Sequence, residues 1–228
     1  MKTAHFQSFI DDSEPDAGPA RLTALRKAIS RAQLNGFLVP RSDVHQGEYV
    51  AKRDERLTWL TGFTGSAGFC AVLPDVAGVF EDGRYRVQVK VQTNATFTPV
   101  DWPETSLPTW LQKNLQTGTI GFDPWLHSWG EIKAHRAALG ENGIQLRPNT
   151  NLIDQIWTDR PDPPNAQAYA YPDDYAGETH SDKRKRLAKM LRDNAQDTAI
   201  LTLPDSIVWL LNMRGSDVTH VPLVHSFA

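Results

Sequence analysis

Apolar residues recur at three- and four-residue steps along "RLTALRKAISRAQL", Arg21 to Leu34, and Asn35-Gly36 interrupts the run. That spacing predicts an amphipathic helix and its stop. "GFLVP", Gly36 to Pro40, is a short continuous apolar run and predicts a buried strand, after which residues 47–63 return to a helical period. "AGFCAVL" and "VAGVFED" flank Pro74-Asp75 and predict a hairpin. Residues 84–93, "RYRVQVKVQT", alternate as a strand would at first, yet the stretch is assigned to a helix. "ATFTPVDW", "SLPTWLQKNLQTG", "TIGFDP", "SWGEIKAHRAALGENG" and "IQLRPN" then alternate strand and helix. The fold class expected is α/β, a mixed sheet flanked by helices over residues 20–158, preceded by a polar tail, 1–19.

Four prolines, Pro161, Pro163, Pro164 and Pro172, fall close together after this pattern and predict a stiff linker over residues 159–177. Beyond it the pattern restarts over residues 178–228: a basic amphipathic helix, the strand "TAILTL", the helix "PDSIVWLLNMRG" opened by Pro204, and the strand "PLVHSFA". This is the beginning of a second, similar α/β unit. A sheet closing on an unpaired apolar strand is incomplete, so the natural protein is expected to continue beyond Ala228.

The net charge of −3 offers no basic excess for nucleic acid or an anionic membrane. No run approaches the roughly 20 apolar residues that span a bilayer, and the acidic N-terminal tail is no secretion signal. One cysteine, Cys70, excludes an internal disulfide framework and fits a reducing, cytoplasmic setting.

Candidate chemistry is sparse. Gly62, Gly65 and Gly68 recur every third residue, but no lysine follows as in a P-loop, and the order is helix then strand, the reverse of a dinucleotide fingerprint. The glycines are assigned to shaping the chain, with Gly62 capping a helix. The seven histidines are scattered without metal-ligand spacing, and mid-strand Cys70 is assigned to core packing. In "EDGRYRV" the Asp82-Gly83 turn projects Arg84 and Tyr85. Arginine brings a permanent charge and five donors suited to a peptide carbonyl or carboxylate, while a local Asp82–Arg84 surface pair explains the same residues. The polar loop after "GFLVP", carrying His45, is either a binding loop or a solvated helix start.

Taken in order, "SDVHQGEYVAKRDERLTWLTGFTGSAG", "EDGRYRVQ", "NLIDQIWTDRP" and "DSIVWLLNMRGSDVTHVPLVHSFA" resemble the cytosolic three-domain Xaa-Pro aminopeptidases (aminopeptidase P) of the creatinase/prolidase superfamily. The resemblance implies a creatinase-type N-terminal domain followed by the start of a similar middle domain, both noncatalytic. The parent would be a metalloaminopeptidase that removes the first residue from peptides with proline in second position. Its two divalent metal ions, usually manganese, would sit in a C-terminal "pita-bread" domain, so no catalytic or metal-binding residue carries over and this chain alone would be inactive. The resemblance assigns Arg84 to contact the peptide, with His45 and Tyr85 as neighbours of the relevant motifs. It also implies a homodimeric parent, largely joined through the absent domain, and a monomeric fragment. A freestanding peptide-binding module without the catalytic half is the alternative.

Overall fold

The computed structural model describes residues 13–228; most of the expected polar tail, residues 1–12, lies outside the described residues. The first helix, α1 (Gly18–Arg31), buries Leu22, Leu25, Ala28 and Ile29, the face its spacing dictates. Strand β1 (Gly36–Pro40) follows, anchored where Asn35 exchanges hydrogen bonds with Thr119. The helical pattern of residues 47–63 resolves into one turn at Lys52–Asp54 and a short helix, α2 (Arg56–Thr61). Gly62 ends α2 with φ +86° and donates its N–H to the Thr58 carbonyl at 2.8 Å, the left-handed cap expected of it.

The predicted hairpin forms from β2 (Gly68–Val72) and β3 (Ala77–Glu81), with Leu73 N–H bonded to the Val76 carbonyl across the turn. Then come α3 (Gln88–Gln92), β4 (Thr98–Asp101), α4 (Leu107–Asn114), β5 (Gly118–Phe122), α5 (Trp129–Leu139), β6 (Ile144–Pro148) and α6 (Leu152–Ile156). Helix wins over strand at α3. Only Val89 and Gln92 are buried there, while Val87 and Val91 stay exposed, so the alternating valines do not line one buried face. Side-chain caps set three starts: Ser106 for α4, Ser128 for α5 and Asn151 for α6 each accept backbone N–H bonds.

The six strands form one sheet in the order β4-β3-β2-β1-β5-β6. Strand β2 runs antiparallel to both neighbours; the other pairings, β3 with β4, β1 with β5 and β5 with β6, are parallel. Period-two alternation divides the core. Phe37, Val39, Cys70, Val72 and Val79 meet residues of α1, α2 and α6, whereas Leu38, Ala71 and Phe80 meet residues of α4 and α5. The result is a mixed sheet with helices on both faces. Cys70 is fully buried in the first cluster, and burial pushes its thiol well above the usual range.

An ionic cluster closes this body. Arg56 is buried and donates to Asp154 through Nε (2.6 Å) and Nη2 (3.1 Å), and to Asp54 through Nη1 (3.0 Å). Arg160 joins from the Trp-Thr-Asp-Arg-Pro stretch, with Nη1 2.7 Å from Asp154 and Nη2 3.2 Å from Asp54. Two guanidinium groups thus share two carboxylates and fasten α6 and the chain after it to α2.

The later segment departs from expectation. The proline-rich stretch carries β7 (Tyr169–Ala170) and a turn of helix, α7 (Asp173–Ala176). Helices α8 (His180–Asp193) and α9 (Pro204–Leu211) form as predicted, and β8 (Met213–Arg214) pairs with β7. "TAILTL" and "PLVHSFA" are not strands. They meet through one reciprocal pair of backbone bonds, Leu201 with Ala228, and no ladder extends from it.

Replacing Asp154 with alanine would leave Arg160 and the buried Arg56 to share the single carboxylate of Asp54. We expect a loss of about 3 kcal/mol in urea denaturation; a loss below about 1 kcal/mol, the worth of an exposed pair, would contradict this role for the cluster.

Candidate functional site

Because β2 runs against β1 and β3, its start lies beside their ends. Pro40 pairs with Phe69, and Gly68 pairs with Glu81. The loop after β1, the glycine loop before β2 and the Asp82-Gly83-Arg84-Tyr85 turn therefore share one edge of the sheet. Gly68 permits this closeness: a Cβ there would lie 2.6 Å from the Phe80 carbonyl oxygen. Glu81, at the end of β3, is buried and accepts a bond from the Val100 N–H; burial raises its carboxyl above the usual range.

Asp82 organises the turn. Its carboxylate accepts from the Arg84 backbone N–H at 2.9 Å, from Nε at 3.1 Å and from Nη2 at 2.6 Å. These bonds to Arg84 hold the Asp82 carboxyl below the usual carboxylate range. The Arg84 side chain is nevertheless 62% exposed, and its Nη1 has no hydrogen-bond partner among the described residues. Tyr85 lies beneath it, with the guanidinium carbon 5.1 Å from the ring centroid. The Tyr85 hydroxyl hydrogen-bonds to Ser66 at 2.6 Å, and its ring meets Phe63 edge-on. Arg84 is thus a positioned donor on a rigid base.

The structure brings Arg84 and Tyr85 together but turns His45 elsewhere. The His45 backbone N–H is held by Asp43, and its Nδ1 lies 2.9 Å from the Thr202 carbonyl oxygen. Its ring packs between His225 and Phe227 at 5.0 and 4.5 Å. His45 therefore joins the loop after β1 to the segment at the end of the chain, a contact that local sequence reading had no means to find.

Beside the glycine loop, a crevice of about 390 Å³ opens between the loops after β1 and β5. Its wall includes a triad missed from sequence: His127, just ahead of the Ser128 cap of α5, and Glu131 and His135, four apart on one face of that helix. Glu131 Oε1 lies 3.2 Å from His127 Nδ1 and 3.7 Å from His135 Nε2. Burial opposes ionisation of Glu131, but the bonds and charges of the two histidines outweigh it and hold the carboxyl at about 2. No group of three or more His, Cys, Asp or Glu among the described residues could hold a metal ion.

With Glu131 lowered from 4.5 to about 2 on folding, its contribution to stability is complete above about pH 4.5 and is lost as the pH falls toward 2. Glu131→Gln should flatten that part of an acid-denaturation curve. An unchanged slope would contradict the pairing.

Residues 21–156 match the family model described as the creatinase/prolidase N-terminal domain, and residues 159–228 match a second model of the same description. Aminopeptidase P1 of Lotus japonicus is 36% identical over 91% of this chain, which covers 32% of that protein. Xaa-Pro aminopeptidase 2 of Homo sapiens is 34% identical over 90% of the chain, again covering 32%. The chain thus spans about a third of the length of these curated relatives. Among solved structures, an X-prolyl aminopeptidase from Caenorhabditis elegans, a cytosolic enzyme with a di-nuclear active site, superposes with a TM-score of 0.85 at 30% identity. That match covers 92% of this chain and 37% of the other. The six-stranded sheet, its helical layers and these matches together establish that the chain belongs to the creatinase/prolidase N-terminal domain family.

Proposed function

We propose that this chain is the noncatalytic, peptide-orienting portion of an Xaa-Pro metalloaminopeptidase, which removes the first residue from peptides with proline in second position. The observation that carries the proposal is the state of Arg84: exposed, held by Asp82 and Tyr85, and presenting a free Nη1 at the sheet edge. An arginine already paired with a carboxylate has its charge locally offset. Such a group suits the neutral carbonyl of a peptide better than a second anion, and it keeps its donor geometry. The similarity to Xaa-Pro aminopeptidases supports a peptide as the substrate class.

In this reading Arg84 donates from Nη1 to a backbone carbonyl of the bound peptide. Tyr85 and Ser66 fix its base, and His45 steadies the neighbouring loop. Hydrolysis belongs to a dinuclear metal centre, with manganese as the proposed metal, outside this chain; the described residues offer no ligand set for it. The setting proposed is cytoplasmic and the parent enzyme a homodimer; its metal centre would supply Lewis-acid activation for peptide hydrolysis.

In the complete enzyme, Arg84→Ala should lower kcat/KM for an Xaa-Pro peptide by roughly 10- to 100-fold, the worth of a charge-assisted hydrogen bond. Metal content should not change, and Arg84→Lys should restore part of the loss. Unchanged kcat/KM in Arg84→Ala would overturn the assignment.

A further inference from the structure

The crevice between the loops after β1 and β5 lies where the topology of the sheet reverses. After β1 the chain crosses the face that carries α2; after β5 it crosses the opposite face, which carries α5. In open α/β sheets, adjacent strands whose connections leave on opposite faces part at their carboxyl ends, and ligands bind in the gap. Here the two loops are joined across the gap by a hydrogen bond from Ser42 Oγ to the Leu126 carbonyl at 3.1 Å.

Two groups around the crevice have unused capacity. Arg41 donates through Nη1 alone, to the carbonyls of Glu48 (2.5 Å) and Ser66 (3.3 Å). Its Nε and Nη2 have no partner, and it is in no ion pair among the described residues. A guanidinium without a carboxylate partner is a fork for an incoming carboxylate. His127 is the second. Its side chain is only 3% exposed, and its Nε2 is buried without a hydrogen-bond partner among the described residues. Since the ionised Glu131 can only accept, His127 Nδ1 carries the hydrogen facing it, and in the Nδ1–H tautomer Nε2 is an acceptor. A buried acceptor with no partner is destabilising, and a ligand donor would satisfy it. Between these groups Phe69, Trp102 and Leu126 give apolar walls.

A guanidinium fork, an acceptor for one N–H and an apolar wall match the last residue of a peptide, which offers a carboxylate, an amide N–H and a side chain. We propose that this crevice binds the C-terminal residue of a short peptide with an apolar last side chain, its carboxylate on Arg41 and its amide N–H on His127. The inference rests on the peptide reading above for the identity of the natural ligand. It extends that reading because the Ser66 loop touches both Arg41 and Tyr85, making crevice and Arg84 turn contiguous. Arg84 would hold a carbonyl along the peptide, and Arg41 its free end.

The experiment is a titration of this 228-residue chain with N-acetyl-L-phenylalanine and with its carboxamide. Calorimetry gives the affinities, and long-range proton–nitrogen spectra report the imidazole nitrogens. The acid should bind at least roughly tenfold more tightly than the carboxamide, as loss of a charge-assisted pair implies, and should move the His127 Nε2 resonance. Arg41→Gln should erase the preference for the acid. Equal affinities, no saturable binding, or an unmoved Nε2 resonance at saturation would overturn the proposal. The comparison of acid with carboxamide uses the unaltered chain, so it stands even if Arg41→Gln fails to fold. It also makes no use of turnover, so this inference and the role of Arg84 can fail separately.

Discussion

The grouping of the candidate site residues depends on one reversed strand. Strand β2 is antiparallel to both β1 and β3, and that single reversal gathers the end of β1, the start of β2 and the Asp82–Tyr85 turn at one edge. A wholly parallel arrangement would bring the start of β2 to the opposite edge, separating Ser66 from Tyr85 and from Arg41. The glycines serve the same reversal. Gly62 stops α2 in the left-handed region, and Gly68 admits the Phe80 carbonyl at a distance no side chain would allow.

The two arginines at this edge differ in their electrostatic state. Arg84 is neutralised in place by Asp82, so it keeps its direction but carries little net field. Among the described residues the Arg41 side chain is bonded to carbonyl oxygens and to no carboxylate. A peptide lying along the edge would meet a neutral-pair donor first and an uncompensated cation at its end. Behind the edge, the Arg56–Asp154–Arg160–Asp54 cluster joins α2 to α6 and braces the body on which the loops rest.

The sheet and its helices were legible because their signals are local. Leu22, Leu25 and Ile29 carry a period of 3.6, and Phe37, Leu38 and Val39 partition between two buried faces. Local signals failed in "TAILTL" and "PLVHSFA", whose composition favours strands but whose ladders need neighbours that the fold does not supply. The site was half legible. The Asp-Gly turn announced Arg84, since a turn residue and a charged projection are adjacent in sequence. His127, Glu131 and His135 show helical spacing, yet only the fold sets them beside Arg41, which is distant in the chain. The contact of His45 with Thr202 and Phe227 has no local signature.

The most direct test of a peptide-binding edge is a map of where an Xaa-Pro peptide perturbs this chain. Backbone amide spectra, recorded as a nonhydrolysable Xaa-Pro peptide is added, would locate it. Perturbations gathered at residues 40–48, 64–68 and 82–86, together with the Arg84 side-chain N–H, are the expected result. Binding that leaves those residues unperturbed and falls on α8 and α9 instead would contradict the account.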